Sequence, residues 1–498
     1  MLPPEDRHRC AWRKHAETLQ TELDATRSEL EELRQKTSLL DERVDDLTQK
    51  LFGRRSERQR VPSVTTEINK RRPSSAAETQ AKREATAAAK AKIESVKERP
   101  PVPRDRCHCE YCGDGPEQFM LVGSKTSTVY AMPPTKPIKR VTIRDTLACH
   151  CGKTMVSAPA PKRFGRSQYD ASVVAHLIAG KCTDATPVAR QAEQMKRQGI
   201  PSSRATLNRI FLRGGALLVP MADWIVQHIA SSELVLADET PIRQQDQDGK
   251  GYFWVFGDGE LTAYVYSPNR SGETPKRVLG DSKGDLVVDG YTGYNQVTTP
   301  QKRRRSGCNA HARRKFCEAK PKTPGAQEAI DLYNELFVIE FDAMQQGIVG
   351  TKAHLELRQH KSAPLVDKLY EWLQTEKPRH LPKGKMGEAI KYAINNRVAL
   401  TRFLTDPKIP ISNNRSERDL RIIALGRKNY QSVGNASAGQ KIAALYTVTA
   451  CCKLAGVDPV PYLTDVLQRL EASPTTPIET LLPHRWKPPD GQRDVAPG

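Results

Sequence analysis

Two short runs restrict this chain more than any others: ELVLAD, ending at Asp238, and DLVVD, ending at Asp289. Each is apolar, rich in branched side chains, of strand length, and stops at an aspartate. Between them, GYFWVFGD and LTAYVYS read as a hairpin across Gly257-Asp258-Gly259-Glu260, and TPKRVLG reads as a helix. Strand, antiparallel hairpin, helix and strand, in that order, predict a mixed sheet whose first and fourth strands lie side by side. Asp238 and Asp289 are then expected together at their ends.

A third carboxylate comes much later. ISNNRSERDLR places Glu417 in the first turn of a helix, beyond a mainly helical stretch from Ala326 to Leu404. This is the order of a ribonuclease-H-like sheet carrying a helical insertion. Two strand-end aspartates and a helical glutamate are what a two-metal phosphoryl-transfer site needs, because carboxylate oxygens suit hard Mg²⁺ or Mn²⁺. Local readings compete with it. An aspartate after a strand often caps a turn, Asn414 with Glu417 has capping-box spacing, and Glu417 with Arg421 has ion-pair spacing.

The charge balance points to a polyanion. The 498 residues hold 78 Lys and Arg against 58 Asp and Glu, a formal net charge of +20, which favours nucleic acid. An anionic membrane surface is the rival, but no apolar run approaches the roughly 18 residues a span requires. MLPPEDRHRC has no secretory pattern, so a cytoplasmic chain is expected. From Lys302 to Lys320 eight basic residues face one acidic residue. Arg313, Arg314 and Lys315 there, with Arg418, Arg421, Arg427 and Lys428 around the glutamate, are candidate DNA contacts. His311 is either an auxiliary group at a scissile phosphate or a residue fixing local structure. Cys308-x-x-His311 has metal-ligand spacing but no second pair nearby.

The N-terminal part reads differently. Leu19, Leu23, Thr26, Leu30, Leu33, Thr37, Leu40, Val44, Leu47 and Leu51 alternate steps of four and three. That seam predicts a coiled coil over 15–52 and self-association, weakened by its two threonines. A basic segment follows over 53–106, with 15 Lys and Arg against 7 Asp and Glu between Arg54 and Arg106; it reads as a solvated linker or a DNA arm. Five of the 11 cysteines fall in Cys107–Cys112 and Cys149–Cys151, which fits a zinc-finger-like module over 107–155 better than disulfides. Cys109, Cys112, Cys149 and Cys151 are its candidate Zn²⁺ ligands. Cys149 and Cys151 are only two apart, so His150 or Cys107 is an alternative ligand. Helices over 165–230, with a Gly199-Ile200-Pro201 turn before SSRATLNRIFLR, read as a helix-turn-helix or an ordinary helical hairpin.

Taken together, LFGRRSER, ADETP, VDGYTGYN, CNAHARRKF, NNRSERDLRIIALGRKNY and LAGVDPVPYLTDVL resemble the insertion-sequence-sixty-six family of bacterial DDE transposases. Their order and spacing carry the resemblance from about Leu19 to Leu470. It implies a multidomain α/β protein: an N-terminal coiled coil and zinc-finger-like module, a helical DNA-binding region, and a ribonuclease-H-like DDE domain over 231–430 with its insertion at 326–404. A C-terminal element over 431–475 and a tail over 476–498 follow. It further implies Asp238, Asp289 and Glu417 as the triad, two Mg²⁺ or Mn²⁺ ions, element ends and target DNA as partners, and accessory proteins of the same element. A nucleoid-associated location follows from the same resemblance. Two departures stand out: Ser412 occupies a position the family usually makes acidic, and the second cysteine pair is Cys149-x-Cys151. A non-catalytic DNA-binding protein and a plain metal-dependent nuclease are the rival functions.

Overall fold

The computed structural model describes residues 163–199 and 202–488, and before them only 17–26, 29, 80, 84 and two short strands. Contacts divide the chain into two units, 62–138 and the remainder, and residues 163–488 belong to the remainder. Residues 17–26 are helical, with Leu19 and Leu23 about half exposed. The rest of the heptad seam and all four candidate zinc cysteines lie outside the described residues. The strands flanking Cys149–Cys151, β1 (Thr146–Ala148) and β2 (Met155–Ser157), pair antiparallel.

The central sheet is built from β3 (Leu234–Gln244), β4 (Lys250–Gly257), β5 (Thr262–Ser267), β6 (Gly284–Val288) and β7 (Arg303–Gly307). Its order is β5-β4-β3-β6-β7. β3 to β5 are antiparallel neighbours, whereas β6 and β7 run parallel to β3. The hairpin and the helix after it, α4 (Glu273–Leu279), fall where their patterns predict. The first strand departs from its expected length. β3 does not end at Asp238 but runs on to Gln244, because β4 pairs with it along the whole extension and β8 (Ser432–Val433) joins its far end. The strand that stops is β6.

Alternate residues of the sheet feed two cores, as the two-residue strand period requires. Val235, Ala237, Leu286 and Val288 face the first, with helices α1 (Ala171–Cys182), α3 (Arg204–Ser231), α12 (Ala436–Leu454) and α13 (Pro459–Ala472). Leu236 and Val287 face the second, filled by α5 (Asn309–Ala319), α6 (Ala326–Gln345), α8 (Ala363–Glu376) and α9 (Lys385–Asn395). Between α1 and α3 lies α2 (Val188–Arg197); α7 (Lys352–Leu357) precedes α8, and α10 (Arg397–Thr401) follows α9. The helical segments before and after the sheet thus share its first core.

The expected second helix of the helix-turn-helix is only the opening of α3, which continues for 28 residues through Gly214, Gly215 and Pro220. Local propensity argues for a break there. Close packing explains the continuation: a β-carbon at Gly215 would lie 2.7 Å from the Lys441 carbonyl oxygen of α12. α3 is long and apolar enough to span a membrane by composition, yet its apolar face, including Leu218, Met221 and Ile225, is core. On the other side of this layer, α12 seals the sheet edge, since Thr447 Oγ1 accepts the Tyr264 N–H of β5 at 2.9 Å.

Two buried arginines stitch the periphery. Arg303 donates to Ser282 Oγ and to the carbonyls of Asp285, Ala230 and Ser232. In the insertion, Arg358 is 1% exposed and grips both Glu340 oxygens at 2.6 and 2.7 Å while donating to the Phe403, Asp406 and Ile409 carbonyls. Removing it leaves Glu340 with His354 Nε2 at 3.3 Å as its remaining partner and takes a donor from three carbonyls, of which that of Asp406 keeps the Ile409 N–H. Arg358→Ala should therefore cost about 3–5 kcal/mol, read as a lowered urea midpoint of the full chain; an unchanged midpoint would mean the insertion does not depend on this pair.

Candidate active site

Register brings the aspartates together. The β3–β6 ladder pairs Leu234 with Asp285, Val235 with Leu286 and Leu236 with Val287, an offset of 51 residues (285 − 234) that also separates Asp238 from Asp289 (289 − 238). Continuing the alternation, both lie on the face of Leu236 and Val287, toward the insertion. Asp238 Oδ1 accepts the Glu239 N–H at 2.8 Å, and Asp289 Oδ1 accepts the Tyr291 N–H at 2.8 Å.

Glu417 arrives on α11 (Asn414–Tyr430), whose start is pinned to the same strands. Asn413, fully buried, donates its side-chain amide to the Ala237 carbonyl at 2.7 Å, one residue before Asp238. Its N–H goes to Cys308 Sγ at 3.2 Å. This sulfur is a buried packing group whose thiol is pushed up to about 11, chiefly by burial. Asn309 completes the junction by donating to the Leu400 and Ile411 carbonyls. The competing reading of Asn414 and Glu417 as a capping box is not what forms: Asn413 is the N-cap residue, and the Glu417 carboxylate meets Arg314 at 3.2 Å and His311 Nε2 at 3.5 Å.

The electrostatics are those of crowded carboxylates. Burial, then the like charges of Glu239, Asp289 and Glu417, push Asp238 up to about 8, against the opposing bond from the Glu239 N–H. Glu239 is also raised, by burial first, despite bonds from Tyr294 and Arg270. Burial pushes His311 below the usual imidazole value, with Glu417 pulling the other way. Its Nδ1 is buried and meets no hydrogen-bond partner among the described residues.

The basic residues divide. Arg303 and Arg305 of the basic strip serve the fold, Arg305 by donating to the Asp289 and Tyr291 carbonyls at 2.6 Å. Arg313 donates to Asn334 at 2.7 Å, and Arg427 to the Pro241 carbonyl at 2.7 Å, so both are already committed. Arg314 is half exposed on Glu417, and Lys315 sits 4.9 Å over the Tyr392 ring, which itself packs on Gly290 beside Asp289. Arg418, Arg421 and Lys428 are exposed along α11. Sequence reasoning missed Glu239, Arg270, Tyr291, Tyr294, Arg305 and Tyr392. Glu239 carried a signal in its place directly after Asp238, Tyr291 and Tyr294 in the VDGYTGYN run after Asp289, and Arg305 in the basic strip, whereas Arg270 and Tyr392 carried none.

Does this donor set fit a divalent ion? Among the described residues no three His, Cys, Asp or Glu side chains gather closely enough to hold a metal as the chain stands. The two aspartates offer the oxygens that Mg²⁺ or Mn²⁺ takes, and Asp238 is raised first by burial and then by the like charges around it, both of which a bound cation would offset. They fit. Glu417 fits once its carboxylate leaves Arg314 and His311.

Residues 166–441 match the Transposase IS66 family, and residues 447–484 match the IS66 C-terminal element. The uncharacterized protein y4hP of Sinorhizobium fredii is 31% identical over 409 residues, covering 76% of this chain and 73% of y4hP. A second uncharacterized protein from that organism, y4jD, is 31% identical over 391 residues, covering 74% of this chain and 76% of y4jD. The sheet, the insertion and α11 all lie within the first matched region, and the chain belongs to the IS66 transposase family.

Proposed function

We propose that this chain is a DNA transposase that binds the ends of an insertion sequence and cleaves and joins DNA strands at Asp238, Asp289 and Glu417. The observation that carries the reading is the shared register of Asp238 and Asp289, with α11 pinned beside them, in a chain of a transposase family. Asp238 and Asp289 hold Mg²⁺ or Mn²⁺, and Glu417 completes the set after release from Arg314. What the bound ions supply is activation of a nucleophile and neutralisation of the leaving 3′-oxygen. The protein needs no covalent nucleophile, because water and then the freed 3′-OH can attack in turn.

The other residues bind and orient. Arg314 and Lys315, with Arg418, Arg421 and Lys428 on α11, take the DNA backbone. A phosphate drawing Arg314 away would free Glu417. His311, held beside Glu417 with its ring nitrogen Nδ1 unpartnered, is an auxiliary group for orienting the attacked phosphate. The heptad seam from Leu19 to Leu51 pairs protomers so that two DNA ends are handled together, and Cys109, Cys112, Cys149 and Cys151 hold a structural Zn²⁺. The protein acts on the nucleoid in the cytoplasm, alongside accessory proteins of its element.

A labelled duplex carrying the native element ends, incubated with Mg²⁺ or Mn²⁺, tests the assignment. Wild type should nick or join it, whereas Asp289→Ala and Glu417→Ala should lose at least about a hundredfold in rate yet still shift the duplex in a gel. Cleavage that survives both substitutions would move the active site elsewhere. Binding without metal-dependent cleavage would favour the non-catalytic rival, and cleavage without joining the nuclease.

The pKa of Asp238 gives a second test. A carboxylate raised from 3.8 to about 8 holds more protons folded than unfolded between those values, so metal-free stability falls as pH rises through that window. Asp238→Asn removes the penalty. It should raise the melting temperature of the metal-free protein at pH 8 and leave it nearly unchanged at pH 4. Added Mg²⁺ should stabilise wild type most at alkaline pH and the variant little; equal shifts in both would mean Asp238 holds no ion.

A further inference from the structure

Glu239 is a costly residue to place beside Asp238. Its side chain is 2% exposed, it adds to the repulsion on Asp238, and the triad makes no use of it. What it holds is Arg270, on the loop between β5 and α4. Arg270 Nε and Nη2 both donate to Glu239 Oε1, at 2.8 and 2.6 Å, while Tyr294 hydroxyl donates to Glu239 Oε2 at 2.8 Å. The guanidinium lies 4.0 Å over the centre of the Tyr291 ring. Tyr291 in turn gives its N–H to Asp289 and its hydroxyl to the Arg270 carbonyl at 2.5 Å. Arg270 is thus fixed on three sides by the residues that follow the two aspartates.

Its far side is open. The Arg270 side chain is 44% exposed, and its Nη1 donates to no protein group among the described residues. An exposed ion pair adds little stability, so stability alone does not account for a buried carboxylate, a tyrosine hydroxyl and a ring spent on orienting one half-exposed arginine. A planar guanidinium, stacked on one face and anchored along one edge, presents its remaining N–H groups in a fixed direction; phosphate oxygens are the acceptors such a fork suits. Asp289 contributes to the field at Arg270, so the guanidinium lies within electrostatic range of that aspartate.

We propose that Arg270 contacts the DNA phosphate at the point of cleavage, and that Glu239, Tyr291 and Tyr294 are the positioning residues that aim it. The proposal rests on the transposase reading and names a contact to its substrate that the triad does not provide. ADET then serves the site twice. Its aspartate belongs to the triad, and the glutamate next to it holds the arginine.

Two measurements on the full chain test it, using the labelled element-end duplex. The first is the salt dependence of binding without divalent metal. Arg270→Gln should make the slope of log affinity against log salt shallower by about one, and Arg270→Lys should restore it. The second is cleavage with Mg²⁺. Arg270→Gln should lose about a hundredfold or more in kcat. Arg270→Lys should recover only part of that, since an ammonium keeps the charge without the fork. Tyr294→Phe, which keeps the ring but frees Glu239 Oε2, should lower kcat while leaving the salt slope at the wild-type value. A wild-type slope in Arg270→Gln overturns the proposal, and so does an altered slope with cleavage within threefold of wild type. A wild type that binds the duplex without cutting it would count against the catalytic reading, while the slopes still decide whether Arg270 holds a phosphate. A wild type that binds no DNA would remove both.

Discussion

One buried amide carries much of this architecture. Asn413 donates to the Ala237 carbonyl just beyond the last β3–β6 pair, where the sheet ladder has run out. A strand carbonyl left bare at that point would be an unsatisfied buried acceptor. The asparagine replaces the missing strand and, in doing so, fixes the start of α11 against β3. Everything the helix brings depends on that junction: Glu417 one turn on, Arg415 reaching the Gly259 carbonyl, and Arg427 bonding the far half of β3. The helix and strand after the insertion are thereby returned to the sheet that precedes it.

The basic strip shows how a charge count divides once a chain folds. Eight positive residues in Lys302–Lys320 look like one binding surface. Instead Arg303 sews the start of β7 to the end of α3, Arg304 neutralises Asp285 at 2.6 Å, and Arg305 supports the turn after Asp289. Guanidinium groups suit such work because one side chain can serve several carbonyls at once. The residues left for a polyanion are those on the helix face beyond the strand.

What the sequence made legible was local. The strands announce themselves by alternation and branched side chains, the hairpin by its Gly-Asp-Gly turn, and Glu417 by its place at a helix start. The adjacency of the first and fourth strands was expected from the ribonuclease-H-like order, whereas the 51-residue offset that aligns Asp238 with Asp289 is a matter of register, which the pattern does not contain. Features that depend on tertiary partners were not legible. β3 outruns Asp238 only because β4 and β8 wait for it, and α3 carries Gly214 and Gly215 where α1 and α12 press close against it. Arg270 sits in an ordinary SPNRSGET loop, with nothing in its spacing to connect it to a glutamate 31 residues earlier.

Leu236 and Val287 belong to the strands of the site yet pack into the core of the insertion. The floor beneath the two aspartates is therefore held from below by helices that arrive later in the chain. If the insertion opens by itself, those two side chains lose their cover and the carboxylates above them lose their spacing, while the α1–α3–α12–α13 layer stays folded. Amide exchange in such a protein is expected in two cooperative blocks, with the slower block on the side away from the insertion. The arrangement of the carboxylates would then be lost at the opening free energy of the insertion, well before the chain as a whole unfolds.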